Sequence, residues 1–574
     1  MEENFNNVES MNIALEEPET PKGKTINKWL IIIPIISIIV IAIIIILIIL
    51  LNNDKEEGNG KEGNGEEGND DGKGKVEDTC VTGEEDKCAK CNNNICETCN
   101  YRYSLVNGKC IANFTIRATY ETKSENEEID LLYNLYKDNI IEMEINKQKV
   151  SPSIQHTFDS PGTHTVYYIL NTENLVSLQL FNQIVNLKSV YFSKEFKTQN
   201  IKSFKENFAY CENLETVDIS NIDIENVEDM SFMFFGCSSL NSIKFPNSKT
   251  PNLKDIKFMF SNCMKLESIN LNNFNTDNLN DISFLFSHCE SLSSVDLSNF
   301  NTKKVINMDG VFSDCISLAS IDISKFDTEN VESMSSLFQN CKKLKTIDVQ
   351  HFKTEKVKYM NNMFYGCESL TSLDLKNFKT QNAEEMTSMF NGCSSLTLLD
   401  LSSFNTLNVK SMDFMFSGCS SLKNINVKTF NTENVNRMNH MFTDCHALTS
   451  LEINNFKTDN VTKIDYLFAG CSNLESIDLK DFNTYNVVNM DYLFYECSKL
   501  TSINISHFST DNVKSINYMF ANCSTLSNID ISGFNENTTL NEVFSGVAES
   551  GVIKINKGFE GKINIKGNWN IKTV

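Results

Sequence analysis

One cysteine returns at a constant 26-residue interval, from Cys211, Cys237 and Cys263 through to Cys497 and Cys523, with neither insertion nor deletion. A repeat this strict constrains the fold more than any local propensity. So short a unit cannot bury its own apolar face, so successive copies must stack and share one core. Leu187 to Cys211 reads as a worn unit with one extra residue, and Val543 to Val547 closes a shortened one. Both ends read as caps.

The unit that starts at Cys289 shows which side chains point inward. Leu292, Val295, Leu297 and Phe300 bracket a short period-two stretch, the mark of a strand. Val305, Met308, Val311, Phe312 and Cys315 then recur at i, i+3, i+6, i+7 and i+10, the apolar stripe of a helix of about three turns. Thr302 precedes that stripe, with Thr276, Thr328, Thr354, Thr406, Thr432 and Thr510 at the same place in other units. A hydroxyl there suits a helix N-cap. Glycine stands before the cysteine at Gly236, Gly366, Gly392, Gly418 and Gly470, where a helix would end through a left-handed residue.

The unit therefore predicts an α/β repeat solenoid: a leucine-rich-repeat horseshoe of 26-residue strand-helix units, with a parallel sheet on the concave side because helices are wider than strands. The recurring pattern M-x-x-M-F-x-x-C-x-x-L-x-x-I/L-D/N-L/I/V-x-x-F-x-T-x-N-V, over about Leu187 to Gly546, resembles the BspA-like leucine-rich-repeat surface proteins. That resemblance implies a surface role in attachment to host matrix proteins or other cells. It carries over no individual binding residue.

The remainder divides by composition. Residues 1–28 are polar and read as a disordered cytoplasmic tail, and 29–51 run from Trp29 to Leu51 without a charge, long enough for a transmembrane helix. That stretch exceeds a signal-peptide core, and no small-residue cleavage site follows it. Residues 52–79 form an acidic Gly/Asn/Glu-rich linker. Residues 80–110 hold Cys80, Cys88, Cys91, Cys96, Cys99 and Cys110. Their two C-x-x-C pairs would suit zinc, but the short gap between the pairs and the even count favour disulfides. Residues 111–183 alternate apolar and polar and predict a small β-rich domain; the repeats occupy 184–546 and a C-terminal cap 547–574.

Two columns are candidates for chemistry. Each repeat cysteine follows a Phe and precedes a Leu, both inward, so the thiols are expected as a buried ladder of small hydrophobes rather than a reactive array. The residue between the two strand apolars is expected to face outward, with Asp296, Asp322, Asp348, Asp374 and Asp400 successive and Asp478 further on. These carboxylates are the candidate ligand-binding residues of the concave face. Hydrogen bonds from neighbouring side chains would explain the column without function; a bound cation, calcium included, or a basic ligand would give it one. Asn113, Asn460, Asn504 and Asn537 head glycosylation sequons. The seven histidines form no catalytic motif, the rungs carry no irregular loop to hold an active site, and no resident metal or cofactor is implied.

A net charge of −24 disfavours nucleic acid. The expected protein is non-enzymatic: a single-pass plasma-membrane protein, N-terminus cytoplasmic and ectodomain extracellular, that binds host or neighbouring-cell surface or matrix proteins and no small-molecule substrate. Two further readings stay open, a recognition receptor signalling through a partner and a self-associating structural coat.

Overall fold

The computed structural model describes residues 88–92, 95–106 and 109–574. The chain divides into Met1–Asp78 and Thr79–Val574, and the described residues all fall in the second part. The tail 1–28, the apolar stretch 29–51 and the linker 52–79 lie outside them. Among the described residues no helix is long and apolar enough to cross a membrane. No described helix therefore supports the expected single-pass anchor, the membrane as a partner or the plasma-membrane localisation, and the expected span itself lies outside the described residues.

In the cysteine-rich module β1 (Cys88–Asn92) and β2 (Ile95–Cys99) pair antiparallel, with Cys88 opposite Cys99 and Cys91 opposite Cys96. A second hairpin joins β3 (Tyr103–Val106) and β4 (Lys109–Ala112). Cys99 is disulfide-bonded. The thirteen repeat cysteines are all free.

The following segment supplies β5 (Ile116–Thr122), β6 (Glu127–Asp130), β7 (Ile140–Ile145), β8 (Gln148–Val150), β9 (Gln155–Phe158) and β10 (Gly162–Leu170). Along β5 every second residue is buried, as the alternation of Ile116, Ala118 and Tyr120 with polar neighbours requires. Next come β11 (Leu187–Phe192), β12 (Thr216–Asp218) and β13 (Ser242–Lys244), and one sheet runs β13-β12-β11-β5-β10-β7-β8. Within it β11 pairs antiparallel with β5 and parallel with β12. The same sheet therefore carries this segment directly into the first rungs and covers the edge they would otherwise expose.

Further along, the short parallel strands come in patches: β14 (Ser268–Asn270) with β15 (Ser294–Asp296), β16 (Leu398–Asp400) with β17 (Asn424–Asn426), and β18 (Ser502–Asn504) with β19 (Asn528–Ile531), β20 (Ser550–Ile555) and β21 (Asn568–Thr573). A β-solenoid of 26-residue rungs is what the chain builds.

No α-helix occurs among the described residues; the helical elements are two 3-10 turns, Asn134–Asn139 and Lys557–Phe559. The expected strand-helix unit is therefore wrong, and with it the horseshoe curvature that rested on wide helices. Met230 to Cys237 shows why. The amides of Phe232, Phe234 and Gly236 donate to carbonyls of the next rung, on Lys257 (3.0 Å), Met259 (2.9 Å) and Ser261 (2.9 Å). Those of Met233, Phe235 and Cys237 close tight turns to the carbonyls of Met230, Phe232 and Phe234. Phe232 and Gly236 take positive φ, 57° and 74°, which a right-handed helix excludes. Met230, Met233, Phe234 and Cys237 still point inward, all fully buried. The stacked turns bury the same i, i+3, i+4, i+7 set that a helix would.

The most continuous ladder lies where the helix was expected: thirteen parallel bridges run from Ser177 and Ser203, rung by rung, to Ser515. The Thr column also has another role than capping. Thr380 Oγ1 accepts from the Asn405 amide (2.8 Å) and donates to the Asn405 carbonyl (2.8 Å), and Thr328 and Thr354 bridge to Lys353 and Lys379 in the same way. These threonines are buried. Near them a column of asparagines reaches the previous rung, as Asn408 Nδ2 does to the Gln381 carbonyl at 2.7 Å. Phe208, Phe234, Phe260 and their successors stack through the core, with ring centroids 5.3 Å apart for the first pair and 5.7 Å for the second.

Candidate recognition surface

The acidic column sits on the strand face, where the strand places alternate side chains outward. Asp296, Asp322, Asp348, Asp400 and Asp478 are exposed and Asp374 is half-buried. Each carboxylate accepts the amide two residues on: Asp296 from Ser298 (3.0 Å), Asp322 from Ser324 (2.9 Å), Asp348 from Gln350 (3.1 Å), Asp374 from Lys376 (3.1 Å), Asp400 from Ser402 (3.0 Å) and Asp478 from Lys480 (3.1 Å). This is an Asx turn, and at Asp296 and Asp400 it makes the acid the corner at which the strand ends. The backbone amide holds the carboxyls of Asp296, Asp322 and Asp400 below their ordinary value; at Asp374 the Lys376 ammonium does so first, and the amide second. Those four carboxylates thus stay ionised, and one oxygen of every acid in the column is engaged.

The second oxygens differ from rung to rung. Asp296 Oδ2 accepts from Asn272 Nδ2 (2.8 Å), and Asp374 Oδ2 faces Lys376 Nζ (3.0 Å). Among the described residues no group of three or more His, Cys, Asp or Glu is placed to hold a metal ion. A shallow, open hollow lies on the same face, lined by Ser242, Ser268, Asn270, Ser294 and Asp296 among others.

The cysteine ladder does more than fill space. Every repeat thiol donates to a Phe carbonyl of the rung before it, as Cys211 does to Phe181 at 2.9 Å, Cys315 to Phe286 at 3.2 Å and Cys419 to Phe390 at 3.2 Å. That carbonyl already accepts the amide of the preceding cysteine, as Phe286 does from Cys289, so the thiol satisfies its second lone pair. Burial pushes the thiols of Cys289, Cys367, Cys419 and Cys471 up to about 12. Held protonated and out of contact with water, they offer no thiolate to a metal or an oxidant.

The histidines are absorbed locally. His164 contacts Thr122 and Asn146, His351 and His507 bond the carbonyls of Ile323 and Leu479, and His446 bonds that of Gly470. His156 packs on Phe158, His288 lies 3.6 Å from Asp314, and His440 is stacked between Phe414 and Tyr466. The sequon asparagines Asn113, Asn460, Asn504 and Asn537 are all exposed, and Asn460 donates its Nδ2 to the Glu433 carbonyl (2.7 Å) as a member of the asparagine ladder.

A feature of the turn face escaped the sequence reading. The first left-handed residue of each rung forms its own column: Phe232, Phe258 and Phe284, then Gly310, Ser336, Asn362 and Ser388, then Phe414, His440, Tyr466, Tyr492 and Tyr518, all with φ between 54° and 57°. The three phenylalanines stack at 4.7 Å, and the later five rings at 4.4 to 5.0 Å. In the sequence this column is the second x of M-x-x-M, an unremarked position whose recurrence from rung to rung was its only signal.

Stacked rungs with an internal cysteine column and an outward polar face define a β-solenoid repeat protein. Its distant structural neighbours are leucine-rich-repeat solenoid surface proteins of low identity. A leucine rich cell surface protein from Faecalibacterium prausnitzii is 16% identical, covers 63% of this chain and 83% of its own, with a TM-score of 0.29. The functional domain of InlJ from Listeria monocytogenes, which includes a cysteine ladder, is 13% identical over 58% and 71%, with a TM-score of 0.21. A leucine-rich-repeat protein of Leptospira interrogans is 12% identical over 68% and 91%, at 0.19. No curated protein matches. The chain belongs to the family described as Mycoplasma protein of unknown function, DUF285, whose model matches residues 177–296, 254–370, 281–398, 344–452 and 445–551.

Proposed function

We propose that this protein is a recognition scaffold that binds a protein partner through its strand face and passes the result on through that partner. Kinship with the BspA-like surface proteins belongs to the same proposal. The observation that carries it is the run of five successive strand-face acids, Asp296 to Asp400, each oriented by an amide two residues on. Fixed side chains lose little entropy on binding, and charge complementarity selects the partner and speeds encounter. A partner with a basic surface fits. Asn113, Asn504 and Asn537 are not needed for this role.

The experiment is a binding screen with the chain against candidate proteins, repeated with Asp348→Asn combined with Asp374→Asn. Binding should weaken in the double variant and fall with added salt. Equal binding by both proteins at all salt concentrations would return the acids to a purely structural role as turn residues.

A further inference from the structure

One rung breaks the pattern at successive places. In the unit that starts at Cys237, Lys244 stands where the neighbouring rungs carry Asp218, Asn270 and Asp296, and Phe245 stands in the place of Ile219, Leu271 and Leu297. Pro246 takes the place of Asn272 and Ser298, and Ser248 that of Phe274 and Phe300. With no amide on Pro246, the Asx turn seen at Asp296 cannot form here. Ser248 gives the core no ring, and its buried oxygen finds no hydrogen-bond partner among the described residues. Phe245 supplies a ring instead, half-buried and edge-on to Phe274 at 5.0 Å. An unpaired buried hydroxyl is a cost that packing alone does not offset. Departures from regularity on a rigid scaffold are where binding sites are built.

The open hollow on the strand face includes this rung. Its volume is about 470 Å³, inside the roughly 300–1,000 Å³ of small-ligand sites. Asn241 and Ser242 of the irregular rung line it, with Ser268, Asn270, Ser294 and Asp296 of the next two. Ser242 opens β13, Ser268 opens β14 and Ser294 opens β15, and Ser268 and Ser294 are direct partners in the parallel pairing. Three exposed hydroxyls therefore stand at one place on three successive rungs, on backbone that has no ordering left to do when a ligand binds. The charges at the two ends are engaged within the chain. Lys244 Nζ is 3.7 Å from Asp218 Oδ2, and Asp296 already accepts from the Ser298 amide and from Asn272 Nδ2.

We infer that this hollow binds a neutral oligosaccharide. Hydroxyl and primary amide groups each donate and accept, so the lining matches a ligand that does both along its length. An apolar ligand would leave those groups without partners, and an ion would find the counter-charges already paired. A peptide backbone brings one donor and one acceptor per residue, fewer than the hydroxyls of a sugar ring. The inference is independent of the strand-face proposal, because a free sugar needs no basic partner.

Saturation-transfer NMR on the full chain, with maltotriose, cellotriose, mannotriose and chitotriose as probes, should show transfer to at least one of them, with a Kd of about 1 mM or tighter on titration. Ser268→Leu places in the hollow a residue type that the same column already holds at Leu398. Phe245→Leu combined with Ser248→Phe restores the pattern of the following rungs and touches none of the six polar residues that line the hollow. Both proteins should fold, and both should bind about tenfold or more weakly. Ser476→Leu, far along the same column, should leave binding unchanged. Transfer to none of the four sugars, binding that survives both the Ser268→Leu and the restored-rung proteins, or equal loss in Ser476→Leu would overturn the inference. So would a penta-lysine peptide that displaces the bound sugar and binds more tightly than any of the four.

Discussion

Thr380 distinguishes a capped helix from a stacked turn more sharply than any other residue. It is fully buried, and its hydroxyl both accepts the Asn405 amide and donates to the Asn405 carbonyl, each at 2.8 Å. Thr380→Val keeps the shape and removes both bonds. Each is worth about 0.5–1.5 kcal/mol net, and stranded backbone groups add to that. Because Asn405 itself is exposed, water can reach part of what is stranded, so the loss should be about 1–3 kcal/mol. Thr380→Ser keeps the hydroxyl and loses a methyl, which costs about 0.8 kcal/mol. Thr380→Asp is the decisive variant. At a helix N-cap Asp ranks at or above Thr, whereas at this site a buried carboxylate could accept from the amide but not donate to the carbonyl. Urea denaturation should rank the variants wild type, Ser, Val, Asp in falling midpoint. Stacked rungs can open locally, so hydrogen exchange of the Asn405 amide should accompany the melts and rise most in Thr380→Asp. An Asp variant as stable as the wild type, with that amide still protected, would refute the ladder.

Other outcomes follow from the same geometry. Cys315→Ala should destabilise by about 1–2 kcal/mol, from lost packing and a half-satisfied Phe286 carbonyl, and Cys315→Ser should be the milder change if the donor is what matters; thermal melts of the pair check this. Burial raises the Asp309 carboxyl above its ordinary value despite hydrogen bonds from Ser333 and Ser335. Its contribution is therefore favourable at low pH and lost as pH rises through the folded value, and Asp309→Asn should remove that dependence and be neutral or stabilising at pH 7, measured by melts across pH. Asp296, Asp322, Asp374 and Asp400 have the opposite sign: their lowered values mean stability present above the unfolded carboxylate value and lost as pH falls through the folded one. Asp322→Asn should flatten the acid limb of the stability profile. Peptide mapping after thiol alkylation should find the thirteen repeat cysteines unmodified in native protein and all modified in urea; native labelling of Cys315 or Cys419 would contradict their burial.

The period, the inward set and the left-handed residue before each cysteine were legible in the sequence, because the burial of Met230, Met233, Phe234 and Cys237 leaves a fixed apolar spacing. The path of the backbone between them was not. A helix and a stack of turns bury the same positions, and the difference lies in whether Phe234 donates its amide back to its own turn or forward to Met259 on the next rung. Two left-handed residues per rung would have decided it, but Phe and Tyr at Phe232 and Tyr466 hide a position that Gly310 and Asn362 reveal. The acids recur between two apolar residues in the sequence, while their Asx bonds to Ser298 or Ser324 depend on a corner that no propensity scale marks. Thr328 and Thr354 fit a helix N-cap for the same reason that they are buried: each stands just before an apolar run, and both arrangements place it there.

Amides that reach forward to the next rung and thiols that reach back to the one before have a bearing on how such a chain changes over generations. A single inserted residue would slip the threonine, cysteine and phenylalanine columns against their partners at once, on every rung beyond it. Whole-rung duplication or deletion leaves every donor facing an acceptor. The length of the solenoid is thus free to vary in steps of one rung while its cross-section is held constant, and relatives should differ in how many rungs they carry before they differ in how a rung is built.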